Sequence, residues 1–118
     1  MLKRIKFTTI PVADQDRALE FYTRKLGLKV FTDQAMGDSR WIELQVPCAE
    51  TLIVLFKQPN HKPAEMPAAV FVADNVQATY EEFKAKGVVF TQPPKKEPWG
   101  EHAILKDSED NIIMVGTA

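Results

Sequence analysis

Cysteine and histidine are almost missing from this chain. Cys48 is the only cysteine, and His61 and His102 are the only histidines, among 118 residues. A single thiol excludes an intrachain disulfide and any cysteine-rich zinc site. Charge of one sign is missing as well. Fifteen basic residues stand against 16 acidic ones, a net charge of −1, so no electrostatic attraction to nucleic acid or an anionic membrane is expected. No apolar run approaches the roughly 20 residues that span a bilayer. The start, Met1 to Phe7, is broken by Lys3, Arg4 and Lys6 and lacks the apolar core of a secretory signal. These absences predict a cytoplasmic globular protein of one domain, long enough to bury about two thirds of its unfolded surface.

What is present is a repeat. Val12-Ala13-Asp14, followed by Ala18 and Gly27, returns as Val72-Ala73-Asp74, followed by Ala78 and Gly87, at an offset of 60. A fixed period of this length points to two copies of one supersecondary unit. In each copy the motif follows a short apolar strand and opens an amphipathic helix. Residues 3–11 read as the first strand, with Ile5 and Phe7 alternating with Arg4 and Lys6. Asp14 is an N-cap for a helix to about Lys25, with Ala18, Leu19, Tyr22 and Leu26 as the buried stripe, Phe21 at its edge and Gly27 as the left-handed cap.

Three strands are expected next, over 28–34, 40–46 and 51–57. In the second, Ile42, Leu44 and Val46 share one face, and Trp41, Glu43 and Gln45 the other. The third is nearly all apolar, which predicts burial on both faces. Pro59, Pro63 and Pro67 make 59–67 a stiff linker. The second unit then runs as a strand over 68–72 and a helix capped by Asp74, with Val76, Tyr80 and Phe83 as its stripe. A strand over 88–90 and a proline-rich loop over 91–100 follow, then a strand over 101–106, a tight turn at 107–111 and a strand over 112–115. The expected architecture is α+β: a single domain over 1–118 made of two βαβββ units, about 1–58 and 68–118.

This pattern resembles the vicinal oxygen chelate superfamily, which includes glyoxalase I, the extradiol dioxygenases and the bleomycin-resistance proteins. The resemblance covers essentially the whole chain. It rests on Val12-Ala13-Asp14 through Arg17, Ala18 and Phe21-Tyr22, then Leu26-Gly27-Leu28. Arg40-Trp41-Ile42-Glu43 and Ile53-Val54-Leu55 add to it, as do Pro98-Trp99-Gly100 and the turn Asp107 to Asn111. The turn departs from the family's Asp-Pro-Asp-Gly-Asn: Ser108 replaces Pro and Asp110 replaces Gly, so Asp110 must enter a left-handed position at some cost. The resemblance implies that the units curl into a U-shaped mixed sheet with helices on the outer face. It also implies, in the metal-dependent members, one divalent ion held by His or Glu from the first and last strands of each unit.

Carried over position by position, those ligand sites fall on Phe7, Val54, Ala68 (or Pro67) and Met114. None is a histidine or a carboxylate: a ring or an alkyl group offers no lone pair to a metal, and the Met114 sulfur is a soft ligand unsuited to Mn, Ni or Mg. No metal and no other cofactor is expected. The resemblance to the bleomycin-resistance branch then implies a metal-free homodimer capturing an apolar or aromatic small molecule. The cleft residues would be Phe7, Trp41, Val54, Phe56, Ala68, Trp99, His102 and Met114, with Trp41 and Trp99 supplying large, rigid stacking surfaces.

Two other functions stay open on the residues alone. One is a metal-independent enzyme, of lyase or isomerase type, with His102 and Glu43 as acid and base. The other is a protein-interaction module. For each of these residues a plainer reading also exists. Glu43 suits a solvent-facing strand, His61 a loop, Trp99 a loop anchor, and Lys95-Lys96 a solvated pair; Asp14 and Asp74 suit caps, and Cys48 sits in a turn with no histidine near it in sequence.

Overall fold

A computed structural model describes residues 1–118. The chain divides into two compact units, Met1–His61 and Lys62–Ala118. The first is built from β1 (Phe7–Val12), α1 (Gln15–Glu20, continued by a π-helical turn Phe21–Lys25), β2 (Lys29–Met36), β3 (Ser39–Gln45) and β4 (Leu52–Lys57). The second repeats the order with β5 (Ala69–Val72), α2 (Val76–Ala85), β6 (Val89–Glu97), β7 (Gly100–Lys106) and β8 (Ile112–Gly116). Each unit folds into one four-stranded mixed sheet, ordered β1-β4-β3-β2 in the first and β5-β8-β7-β6 in the second. In both, the first strand pairs parallel to the last and the remaining pairs are antiparallel. The fold is therefore α+β with a repeated βαβββ unit.

The first unit's core follows the period-2 pattern of its strands. Ile10, Val12, Ile42, Leu44, Ile53 and Leu55 are buried, and the helical segment adds Ala18, Phe21 and Tyr22. Phe21 is a full member of this core rather than its edge, while Leu19 and Leu26 are half-buried. In β4 four consecutive residues, Leu52 to Leu55, are buried, as the unbroken apolar run implies. The second core is Val76, Val88, Ala103, Leu105, Ile113 and Val115. Tyr80 and Phe83 on the α2 stripe are half-buried, and Tyr80 packs edge-on against Phe90.

Three expectations need correction. The first strand begins at Phe7, not at residue 3, and Ile5 is exposed. β1 pairs with β4, whose first residue, Leu52, lies opposite Phe7, so the residues before Phe7 have no strand beside them. The cap of α2 is Asn75, not Asp74: its side-chain oxygen accepts from the Ala78 amide at 2.9 Å. In the first unit Asp14 accepts from the Arg17 amide at 3.0 Å, so both caps serve the amide three residues on and the second helix starts one residue late relative to the repeat.

The third correction concerns 91–100. Most of that span is strand, because β6 runs to Glu97. Proline removes a ladder donor, but β6 is an edge strand, and its register shifts between Phe90 and Gln92 and again between Gln92 and Lys95, around Pro93-Pro94. Only Pro98-Trp99 turns the chain into β7.

The turn between β7 and β8 is held by its own side chains. Asp107 Oδ1 accepts from the amides of Glu109 and Asn111, both at 2.8 Å, and Oδ2 accepts from Asn111 Nδ2 at 3.0 Å. Asp110 takes a positive φ of 63° at the position where the family has glycine.

Candidate functional site

Each sheet has one face packed as core beside its helix and one face of different composition. In the first unit the register sets Glu43 and Thr9 opposite Val54, and Gln45 and Phe7 opposite Leu52. Phe7, Val54 and Glu43 therefore share the face away from Ile42 and Leu44, and Trp41 joins them by alternation. Phe7 and Trp41 meet edge to face, with ring centroids 5.5 Å apart and planes at 82°. Val54 is fully buried, Glu43 is half-buried beside it, and Phe56, opposite Pro11, is exposed.

In the second unit, Ala103 and Leu105 belong to the core, so His102 and Ile104 occupy the other face of β7. Met114 lies opposite Ile104 on one side and Val70 on the other. Gly116 lies opposite His102 and Val72. Ala68 precedes β5, where its amide donates to the Ile112 carbonyl at 2.8 Å.

His102 is the most constrained polar group on this face. It is only 8% exposed. The Trp99 indole stacks on the imidazole, centroids 4.9 Å apart and planes at 22°, and is itself largely exposed. The side-chain amide nitrogen of Gln92 lies 2.9 Å from His102 Nε2. His102 Nδ1 is buried and has no hydrogen-bond partner. The three prolines of 91–100 make Gln92 read as a loop residue. Strict alternation from Phe90, which lies opposite the core residue Leu105, would put Gln92 on the core face; the register shift between the two sets Gln92 opposite Ile104 instead, on the face of His102.

The structure brings together Phe7 with Trp41, Glu43 with Val54, and Trp99 with His102. His61, Cys48 and Lys95-Lys96 take no part in these groupings: Cys48 is exposed, at a positive φ of 69°. The His61 amide donates to the Gln58 carbonyl at 3.0 Å, and Lys95 pairs with Glu97 at 3.2 Å.

The positions to which the resemblance carries the metal ligands, Phe7, Val54, Ala68 (or Pro67) and Met114, hold no imidazole or carboxylate, and this donor set does not fit a divalent ion that leaves room for an oxygen substrate. Nor does the chain gather three or more His, Cys, Asp or Glu side chains around any one point. The acidic turn at Asp107 is committed to its own backbone.

The chain belongs to the Glyoxalase/Bleomycin resistance protein/Dioxygenase superfamily, whose family model matches residues 4–115. It is 37% identical to the uncharacterized protein YurT of Bacillus subtilis (strain 168), across 95% of this chain and 97% of that one. It is 32% identical to the uncharacterized protein YetH of the same organism, across 98% of each. Among solved structures, UcmS2 is 33% identical with a TM-score of 0.87 and full coverage of both chains. TnmS3, an antibiotic binding protein from Streptomyces sp. CB03234, is 27% identical with a TM-score of 0.88, covering 98% of this chain and 96% of that one. No helix is long and apolar enough to cross a membrane.

Proposed function

We propose that this chain is a metal-free small-molecule-binding protein that captures an apolar or aromatic ligand, with Phe7, Trp41, Val54 and Phe56 as the candidate binding residues of the first unit and Ala68, Trp99, His102 and Met114 as those of the second. The observation that carries the reading is the apolar and aromatic chemistry of the sheet faces. The four positions to which the resemblance carries the metal ligands hold no imidazole or carboxylate, and an indole stands on the same face or at its margin in each unit: Trp41 against Phe7, Trp99 over His102. Apolar walls with few polar groups are the usual make-up of small-molecule sites, and indoles add stacking area at small entropic cost. The likeness to TnmS3, described as an antibiotic binding protein, supports the same reading. The homodimer that the family resemblance implies is part of the proposal, as is a cytoplasmic location.

Each tryptophan reports on the face of its own unit. Titrating the protein with the planar aromatic probe 9-fluorenone should quench Trp fluorescence along a saturable curve. Trp41→Ala and Trp99→Ala should each weaken binding about five- to tenfold, the loss of one aromatic contact. Quenching that rises linearly without saturation, in the native protein as in both variants, would sink the proposal.

A further inference from the structure

We propose that the first unit carries a further binding site, a recess of about 300 Å³ that takes a small aromatic carboxylate. The recess lies between the segment before β1, the bulge of β2 and the turn from β3 into β4. It is separate from the candidate residues named above, none of which lines it.

Its floor and one wall are apolar. Leu52 lines the recess while almost fully buried, and Ala49 is half-buried there. The wall is Phe31, on the edge strand β2. Val30 pairs with Leu44 and Thr32 with Glu43, so Phe31 is the extra residue of a bulge and has no residue opposite it. A bulge re-aims the side chain it carries. Here the ring lines the recess and is left exposed, where a flat aromatic ligand can cover it.

The rim is basic. Arg4 and Lys6 both line the recess, against the single carboxylate of Glu50, in a chain whose net charge is −1. No carboxylate pairs with either cation. Nor are they on a loose end. The Arg4 guanidinium donates to the Glu50 carbonyl at 3.4 Å, the Thr51 hydroxyl to the Ile5 carbonyl at 3.2 Å and the Leu52 amide to the Lys6 carbonyl at 2.9 Å. Gln45 Nε2 donates to the Ala49 carbonyl at 2.9 Å and so ties the turn to the end of β3. Two anchored cations beside an apolar floor match an anion on an apolar body. A neutral aromatic would leave the charges unmet, and a small inorganic anion would leave Phe31 and Leu52 uncovered.

A matched pair of probes tests this. 2-Naphthoate and 2-naphthamide share one skeleton and differ in charge. Calorimetry at low ionic strength should show the native protein binding the naphthoate about fivefold more tightly, the worth of two partly exposed ion pairs. That preference should fade above about 0.5 M salt. In a protein carrying both Arg4→Gln and Lys6→Gln the two probes should bind alike, at the native affinity for the amide. Phe31→Ala should weaken both about fivefold. All three positions are exposed, so the variants should fold. The native protein gives a readout that needs no variant: in ¹H–¹⁵N spectra, 2-naphthoate should shift the amides of Phe31, Ala49 and Leu52. Equal affinities in the native protein, a preference that survives the double substitution, or shifts centred on Trp41 or Trp99 would each overturn the site. So would failure of 2-naphthoate to bind, whatever the outcome with 9-fluorenone, which tests the proposed function separately.

Discussion

Replacing Gln15 with alanine will lower the unfolding free energy by about 2–4 kcal/mol, one of the largest losses available to a single substitution outside the apolar core. Gln15 opens α1 and is only 7% exposed. Its side-chain nitrogen donates to the carbonyls of Arg40 at 2.7 Å and Leu55 at 2.9 Å, and its oxygen accepts from the Arg40 amide at 3.0 Å. One amide therefore ties the helix to β3 and β4 at once. Alanine would strand backbone groups of both strands in a part-buried or buried setting. Glutamate would not restore them, because a carboxylate cannot donate to two carbonyls. Urea unfolding of Gln15→Ala and Gln15→Glu checks this; a loss below about 0.5 kcal/mol, the ordinary effect of a surface change, would contradict the role.

The second large effect is expected at Asp107. Asp107→Ala removes the acceptor of two backbone amides and the Asn111 side chain, at a residue only 5% exposed. The turn they stabilise also holds Asp110 in the left-handed region without glycine's freedom. A loss of about 2–4 kcal/mol follows. Asp107→Asn should lose less: its oxygen can still serve the two amides, but its nitrogen then meets the Asn111 nitrogen, donor against donor. Thermal unfolding should rank the proteins native, then Asn, then Ala. Equal stability of the Ala and native proteins would contradict the account of the turn.

Both residues bear on what could be read from the sequence. Asp107 was legible as turn chemistry, because Asp, Ser and Asn cluster between two apolar runs. Gln15 was not legible as core. It stands three residues before Ala18 and seven before Tyr22, on the buried stripe, but its polarity hid it from a pattern that counts apolar residues. The repeat, the strand alternation at Ile42 and Leu44 and the Asp14 cap were legible because each is local. β6 was not, since whether a strand tolerates Pro93-Pro94 depends on its being at a sheet edge, and that is a matter of topology. The candidate site divides in the same way. Trp99 and His102 are three residues apart, so their proximity across the turn was within reach of sequence reasoning. The Gln92 contact arises from register shifts that only the folded sheet reveals.

The metal positions form a separate case. The residues proposed to stand there, Phe7, Val54, Ala68 and Met114, are plain in the sequence, but the proposal that they mark a former metal site comes from the family resemblance. The proposed function sets apolar capture in the place of ion coordination. The most direct test is elemental analysis of protein purified without a histidine tag, combined with calorimetric titration of the same sample with Mn²⁺, Ni²⁺ and Zn²⁺. A metal-free binding protein should show no stoichiometric metal and no saturable heat with any of the three. A bound ion near one per chain would contradict it and would return His102, Glu43 and the Asp107 turn to consideration as ligands.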